Sequence, residues 1–202
     1  MKRVILVALA LSMLCLTTGG FAQSKINYEI RGGYVFNLTS KDNKLGMWDN
    51  GWLLGFGISH SLNPTVKILG NTSYQNYSYG GGYKGAVPAV PGEIDGENTK
   101  IYKLSVGIRY VARGQFMKTY LELHNGVFFT DFGDIFIRNV LTFARHTISP
   151  GGLRKEGFLS LGYAYCFRVR SQVHLILQTK FTTTYSLDSF LVPLTASVQF
   201  GL

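Results

Sequence analysis

Eight segments of the chain alternate between apolar and polar positions, and they cover residues 26–36, 51–60, 65–79, 102–110, 118–130, 157–167, 173–185 and 192–200. The fourth segment is the clearest, because large apolar residues at its even positions alternate with Lys103, Ser105, Gly107 and Arg109. Successive side chains on a β-strand point to opposite faces. A period of two therefore predicts eight strands, each with one apolar face.

The connections between these segments alternate in length. Residues 37–50, 80–98 and 131–156 form long connections, residues 61–64, 112–117 and 168–171 form short ones, and residues 186–189 form one of medium length. This alternation is typical of outer-membrane barrels, which have tight turns at one rim and loops at the other. The sequence thus predicts an all-β fold, an eight-stranded antiparallel transmembrane up-and-down β-barrel with short periplasmic turns and long extracellular loops.

The longest connection, residues 131–156, contains an apolar stretch at residues 135–148 that is expected to be ordered. Two arrangements fit this composition. The connection either extends the two flanking strands beyond the membrane or folds over the mouth of the barrel, and the sequence does not choose between them.

A soluble barrel with its apolar face turned inward is the main alternative. Three observations favour the membrane barrel. The polar face consists largely of Gly, Ser, Ala and Thr with scattered charges, which fits a tight lumen better than a surface in water. The apolar face is too bulky for the interior of eight strands, and the connections alternate in length as outer-membrane barrels require.

Aromatic residues flank the apolar stripes at both ends. Aromatic side chains prefer the level of the lipid headgroups, where one end is apolar and the other is wet. We predict that the interface aromatics are Tyr28, Tyr34, Trp52, Tyr74, Tyr102, Tyr110, Tyr163 and Phe200.

The first 22 residues have the organisation of a signal peptide. Two basic residues precede an apolar run over residues 4–16, and Gly20-Phe21-Ala22 forms a small-x-small cleavage site. The run is shorter than the roughly 20 residues of a membrane-spanning helix. We predict a signal peptide over residues 1–22 and one outer-membrane barrel domain over residues 23–202.

Charge and cysteine content exclude some classes of protein. The formal charge of +9 falls by two, to +7, when the predicted leader is removed, and no basic cluster interleaved with stacking aromatics points to nucleic acid. Lipidation at Cys15 is disfavoured because the bulky Leu14 precedes it. The mature chain then keeps only Cys166, which we interpret as a small packing residue.

Charged residues on the inward face are the main candidates for a site. They could attract anions into a pore, but an eight-stranded lumen is narrow and buried charges must pair, so we favour a space-filling polar network. No Cys/His spacing indicates a metal, and no cofactor is expected. Some of the basic residues in excess would lie near a rim. The predicted network comprises Glu29, Arg31, Lys67, Lys103, Arg109, Glu122, His124, Arg168, His174 and Lys180.

Two further groups of residues suggest chemistry or binding. An acyltransferase or deacylase would need a Ser, a His and an acid, and the longest connection holds Asp131, Asp134, His146 and Ser149. No His has a Ser two residues later, as the lipid A deacylase type requires. Near one rim a cluster of tyrosines either binds glycans or a partner protein or, as we favour, continues the aromatic girdle into the loop. The cluster contains Tyr74, Tyr77, Tyr79 and Tyr83.

The chain resembles the small outer-membrane barrels of the OmpA/OmpX type, and most of all the outer-membrane β-barrel domain proteins common in Bacteroidota. The resemblance rests on the leader, the Ile-Ser-His-Ser-Leu-Asn-Pro strand–turn at residues 58–64, the Gly-aromatic strand texture and the final Ser-Val-Gln-Phe-Gly-Leu. Members usually end on an aromatic residue, whereas here Phe200 is followed by Gly201 and Leu202. The resemblance implies insertion by the barrel-assembly machinery and a monomer, and we expect no peptidoglycan-binding domain after the barrel.

Together these observations favour a non-enzymatic integral outer-membrane barrel that is structural or binds partners through its loops. The expected partners are outer-membrane lipids and lipopolysaccharide, the barrel-assembly machinery, and an extracellular glycan or protein. A lipid-modifying enzyme and a narrow pore for small solutes are the alternatives.

Overall fold

The computed structural model describes residues 26–85, 87, 92–113, 117–139, 141–169 and 173–201. The predicted leader at residues 1–22 lies outside the described residues, as do Leu202 and parts of two predicted turns, residues 114–116 and 170–172. No helix among the described residues is long and apolar enough to cross a membrane.

The described chain contains eleven strands and one short 3-10 helix at Lys44–Met47. The strands are β1 (Ile26–Asn37), β2 (Trp48–Ser61), β3 (Val66–Tyr79), β4 (Glu93–Gly96), β5 (Thr99–Arg113), β6 (Lys118–Phe132), β7 (Ile135–Arg138), β8 (Arg145–Ser149), β9 (Gly152–Arg168), β10 (Val173–Thr184) and β11 (Phe190–Gly201). Eight of them close a barrel in the order β1-β2-β3-β5-β6-β9-β10-β11, and β11 pairs with β1. All eight pairings are antiparallel, so the predicted up-and-down barrel is confirmed.

Several strands reach further towards the loops than predicted. β2 begins at Trp48, β5 at Thr99 and β9 at Gly152, whereas the alternating pattern began at residues 51, 102 and 157. Backbone pairing continues there, with Lys100 opposite Asp131 and Arg154 opposite Thr130, although polar residues interrupt the apolar stripe. The pattern marks only the part of each strand with an apolar outer face.

The outer face of the barrel is apolar and exposed. On β5, the side chains of Leu104, Val106 and Ile108 are 59%, 67% and 55% exposed, whereas the inward-facing Arg109 is fully buried. The other strands continue this belt with large residues such as Ile30, Leu54, Leu121 and Leu194. An apolar surface that encircles the molecule is unfavourable in water and suits contact with lipid.

The longest connection adopts both of the arrangements that the sequence left open. β6 and β9 stay paired with each other beyond the predicted strands, as far as Phe132 and Gly152, and β7 and β8 form a hairpin in the connection between them. β7 also pairs with β4 from the preceding long connection, and the result is a separate three-stranded sheet, which we call the loop sheet. The pairing joins residues about 40 positions apart, so local sequence patterns do not reveal it.

Bulky apolar side chains fill the loop end of the lumen, and this corrects the expectation of an inward face built mainly of small residues. Phe128 and Phe158 stack with ring centroids 4.5 Å apart, and the indole of Trp48 lies 5.5 Å from the ring of Phe132. Together with inward residues of five further strands and of the loops they form the loop-end cluster, which comprises Val35, Leu45, Trp48, Leu53, Tyr77, Ile101, Phe128, Phe132, Ile135, Phe158 and Leu191.

A smaller apolar group fills the opposite end of the lumen. This turn-end cluster comprises Val111, Tyr120, Ala164, Cys166 and Ile176. Cys166 is 2% exposed and packs within it, as predicted. Apolar side chains therefore occupy the lumen on both sides of its central charged part.

Candidate functional site

The central part of the lumen contains six inward polar residues that contact one another, and we call them the charged layer. They come from four strands and are Glu29, Arg31, Arg109, Glu122, His124 and Lys180. The register explains their proximity, because Arg109 lies directly opposite Glu122 on the neighbouring strand. The remaining members reach across the narrow lumen.

Glu122 is the hub of the charged layer. One carboxylate oxygen, Oε1, accepts from Nε of Arg109 at 2.5 Å, and Oε2 lies 2.7 Å from His124 Nε2 and 2.9 Å from Lys180 Nζ. Neither Arg109 nor Glu122 has any exposed side-chain surface. A buried carboxylate is unfavourable without partners, and here three polar hydrogens converge on it.

Glu29 is the second anionic centre. Arg109 Nη2 donates to its Oε2 at 2.8 Å, while Arg31 Nη2 and Ser197 Oγ approach its Oε1 at 3.2 and 3.0 Å. Arg109 thus bridges both carboxylates. Ser197 was not among the predicted site residues, although its inward position opposite Arg31 on the paired strand is a signal that could have found it.

The hydrogen bonds around His124 assign its tautomer. Asn71 accepts from Arg31 through Oδ1, so its amide nitrogen faces His124 Nδ1 at 3.2 Å and donates to it. The proton of the neutral ring then lies on Nε2, which donates to Glu122 Oε2. Lys180 Nζ, which lies 2.9 Å from the same ring nitrogen, donates to that carboxylate oxygen as well. Asn71, also missed by the sequence analysis, therefore couples Arg31 to the histidine.

Glycines on neighbouring strands provide the space for these large side chains. Gly107 lies opposite His124, and Gly162 lies between Glu122 and Lys180. A Cβ at Gly162 would lie 2.9 Å from Cγ of Lys180. The abundance of glycine on the inward face thus follows from the bulk of the charged side chains beside it.

Lys103 lies in the same lumen but has a different environment. Its Nζ lies 4.5 Å from the ring centroid of Phe158 and 4.9 Å from that of Phe128. Among the described residues no carboxylate pairs with it. It therefore lies at the boundary between the charged layer and the loop-end cluster.

Four of the ten predicted network residues do not join the charged layer, namely Lys103 and three residues nearer the short turns. Lys67 and His174 are partly buried and Arg168 is exposed, and all three lie close to the short turns, where their strands begin or end. None of them forms an ion pair with a carboxylate in the described part of the chain. They lie near the rim with the short turns. The sequence analysis expected some of the surplus basic residues to lie near a rim.

All eight predicted interface aromatics lie on the outer face, in two rows. The loop-side row contains Tyr34, Trp52, Tyr74 and Tyr102, and the turn-side row contains Tyr28, Tyr110, Tyr163 and Phe200. Rings of the first row touch, with centroids 5.3 Å apart for Trp52–Tyr74 and 5.2 Å apart for Tyr74–Tyr102. Tyr102 and Tyr110 are separated by about 27 Å along a strand, or roughly 21 Å of height at typical barrel tilt.

The tyrosine cluster does not form one exposed girdle. Tyr74 faces outward, but Tyr77 is fully buried in the lumen and donates from its hydroxyl to Gln75. Tyr79 and Tyr83 pack against the loop-end cluster. Tyr77 therefore neither binds a ligand at the surface nor belongs to the aromatic girdle, so both interpretations are wrong for this residue. The pleat of the strand turns its side chain inward.

The residues considered for an enzyme do not assemble. His146 lies opposite Ile137 and Ser149 lies opposite Ile135, and a register shift separates the two pairs in the hairpin of β7 and β8. Asp134 accepts from the backbone N–H of Gly151 at 2.5 Å and thereby stabilises the connection. No hydrogen bond joins Asp131, Asp134, His146 and Ser149 to one another in the described structure.

The lumen leaves little room for solutes. Between the charged layer and the loop-end cluster there is a cavity of about 40 Å³, lined by Arg31, Lys103, Lys180 and Gln178 among others. A water molecule occupies about 30 Å³ in the liquid, so the cavity holds one or two small species. The geometry does not support a continuous pore.

The loops form an interlocked rim above the lumen. Trp48 Nε1 donates to the carbonyl of Glu97 at 2.9 Å, and Asn43 donates to the carbonyl of Asp188 at 3.2 Å. Ser186 donates to the Asp188 carboxylate at 2.6 Å, and this bond lowers the pKa of Asp188. The connections are thus tied to one another by side chains.

The loop sheet carries an exposed apolar tip. Ile135 and Ile137 are buried beneath the sheet, whereas Leu141 and Phe143, at the turn between β7 and β8, are 90% and 77% exposed. We call these two residues the tip. Phe143 also has a φ of 56°, which is uncommon for a bulky residue.

No protein-family model matches the sequence, and no curated protein matches it. Neisserial surface protein A is similar in structure, with 11% identity and a TM-score of 0.58 over 87% of this chain and 96% of that one. A major outer membrane protein of Thermus thermophilus has 12% identity and a TM-score of 0.57 over 88% and 99%. Ail, the attachment invasion locus protein of Yersinia pestis, solved with the heparin analogue sucrose octasulfate, has 12% identity and a TM-score of 0.52 over 90% and 100%. At these identities the likeness establishes the architecture, and the chain therefore has the closed eight-stranded fold of small outer-membrane barrels.

Proposed function

We propose that this protein is an integral outer-membrane barrel that binds an extracellular partner through its loop sheet. The observation that carries the proposal is the exposed tip, Leu141 and Phe143, held on an ordered scaffold. The filled lumen supports it indirectly, because side chains occupy the interior that a pore would need.

The scaffold beneath the tip is built to hold its shape. Ile135, Phe136 and Ile137 are at most 3% exposed, and the guanidinium of Arg145 lies 4.6 Å from the ring centroid of Phe136. Asn139 receives hydrogen bonds through its side chain from the backbone N–H groups of Leu141 and Thr142 at 2.9 and 3.0 Å. The tip is therefore preorganised, which reduces the entropy lost on binding.

Exposure of the tip is unfavourable for the isolated protein. Two large apolar side chains lie in water, and one of them adopts the left-handed backbone region without burial to compensate. Strained, exposed apolar residues on a rigid support are typical of binding sites. We infer that a partner covers the tip.

Basic groups near the tip suggest the first partner to test. Arg145 and His146 are exposed on β8, and the similar barrel Ail was solved with a heparin analogue. A sulfated glycan, or a matrix protein that combines acidic and apolar surface, would meet both the basic groups and the tip.

The test compares cells that display the wild-type protein, the double variant L141S/F143S and the control L62S. Leu62 is 58% exposed at a turn on the opposite rim, so its substitution removes apolar surface without touching the loop sheet. Binding of fluorescent heparin and adhesion to wells coated with matrix proteins are measured. We expect at least a tenfold loss for the tip variant and none for L62S.

Heat-modifiable migration on a gel verifies that each variant is folded. The proposal fails if wild-type cells bind both probes no better than cells without the protein, or if the tip variant binds as well as the wild type.

Membrane insertion and topology belong to the same proposal. Cleavage of residues 1–22, assembly by the barrel-assembly machinery, contact with lipopolysaccharide, a monomeric state and membership of the Bacteroidota group remain predictions. A Cys introduced as T142C, at an exposed position of the hairpin, should react with an impermeant thiol reagent on intact cells, whereas the buried Cys166 should not. A protein that is soluble without detergent would overturn this part.

A further inference from the structure

The lumen contains more positive than negative charge. Its central part holds four cationic side chains and two carboxylates, namely Arg31, Lys103, Arg109, Lys180, Glu29 and Glu122. Both carboxylates are already saturated by partners, as described above. Lys103 is left with aromatic ring faces alone.

When an ammonium group leaves water it loses hydration free energy, and contact with aromatic ring faces compensates only part of that loss. Lys103 would therefore need either a counter-ion or the loss of its proton. The cavity of about 40 Å³ that it lines offers room for the first solution.

The lining of this cavity combines cationic and hydroxyl groups with the apolar Leu53, Phe158 and Pro193, and it has no carboxylate among the described residues. Lys103, Lys180 and Arg31 contribute positive charge, and Ser105 contributes a hydroxyl. A carboxylate, which the described lining residues do not include, is the group that usually neutralises a bound cation. The electrostatic character of the cavity thus suits an anion.

Unpartnered donors provide independent support. Gln178 is 2% exposed and lines the cavity, yet neither its amide Nε2 nor its Oε1 has a hydrogen-bond partner, so a rotation of the amide can turn the donor towards the cavity. Nε of Arg31, another lining residue, is also buried without a partner. Buried donors without partners are uncommon and indicate a bound water or ion.

We propose that the barrel lumen holds one monatomic anion, chloride under physiological conditions, in the cavity lined by Lys103, Arg31 and Gln178. The cavity of about 40 Å³ has room for one such small ion. Because apolar clusters lie at both ends of the lumen, the ion enters when the barrel closes. This site is separate from the loop sheet and does not depend on the partner proposed above.

Bromide is the probe, because it replaces chloride and scatters anomalously. The full chain is refolded from urea into detergent in sodium bromide, crystallised and measured at the bromine edge. We expect an anomalous peak inside the lumen beside Lys103 Nζ. The variant K103M should lose the peak, whereas K100M, which removes an exposed lysine from the outer face of the same strand, should keep it.

Thermal unfolding provides the second measurement. Wild type and K100M should unfold at a higher temperature in chloride than in gluconate at equal ionic strength, and K103M should show no difference. If K103M does not fold, the wild-type crystal decides alone. A wild-type lumen without a bromine peak, or a peak that persists in K103M, overturns the proposal, and the cavity then holds water beside an uncharged amine.

Discussion

The charged layer makes a quantitative prediction at its hub, Glu122. The substitution E122Q removes the negative charge but keeps the size of the side chain. Glu122 meets Arg109, His124 and Lys180 at 2.5, 2.7 and 2.9 Å, and it has no exposed surface. Each charge-assisted bond contributes about 1.5–3 kcal/mol, and removal of one member of a buried ion pair destabilises by about 3–5 kcal/mol.

We expect E122Q to lower the free energy of unfolding by about 3–5 kcal/mol, because one carboxylate then faces four cations. Urea titration of the folded barrel in detergent measures this, with tryptophan fluorescence as the signal. Trp48 is buried in the loop-end cluster and Trp52 lies on the outer face, so both change environment on unfolding.

Glu97 provides the matched control. It pairs with Arg145 at 3.4 Å on the loop surface, where both side chains are more than half exposed. The corresponding E97Q should cost at most about 0.5 kcal/mol. Equal effects of E97Q and E122Q would refute the hub role.

A double-mutant cycle separates charge pairing from general disruption. K180M removes one of the cations that E122Q leaves unpaired, so the double variant should be less destabilised than the sum of the single variants, by at least about 1 kcal/mol. Strict additivity would show that the 2.9 Å contact carries no interaction energy.

Two further predictions follow from how the lumen is filled. A methyl group at Gly107 would lie 2.6 Å from the backbone carbonyl of Leu123, so G107A should destabilise by about 1–3 kcal/mol in the same urea titration, whereas G32A, whose nearest neighbour would be 3.8 Å away, should be neutral. A G107A protein as stable as wild type would show that the strands can separate at no cost. In planar lipid bilayers the wild-type barrel should be electrically silent, since apolar clusters lie on both sides of the charged layer; stepwise conductance of porin size would contradict the filled lumen.

Much of the barrel follows from local sequence. The period-two pattern locates all eight strands, and the lengths of the connections order them into turns and loops. The aromatic rows follow from the same pattern, because Tyr102 and Tyr110 mark the two ends of one apolar stripe. Alternation is a property of each strand alone, so it can be recognised without knowing which strands pair with one another.

The charged layer is predictable only in part. The alternation of side chains shows which residues face the lumen, and it identified Glu29, Arg109 and Glu122. It does not show how far along the barrel axis each of them lies. This height depends on the stagger between strands, and for this reason Arg168, which pairs with His174 beside a short turn, was grouped with residues that lie far from it. Lys67 lies directly opposite Arg109 in the register but forms no ion pair with either carboxylate of the charged layer.

What the sequence determined by itself was the number of barrel strands, their antiparallel order and the face on which each of their side chains lies, because these depend on neighbours two positions apart. Tertiary structure alone decided which inward residues meet, that Phe128 and Phe158 close over Lys103, and that β4 pairs with β7 to form the loop sheet. These contacts join distant segments across a closed barrel. Their partners are set by the register and stagger of all eight strands together, which no single segment encodes.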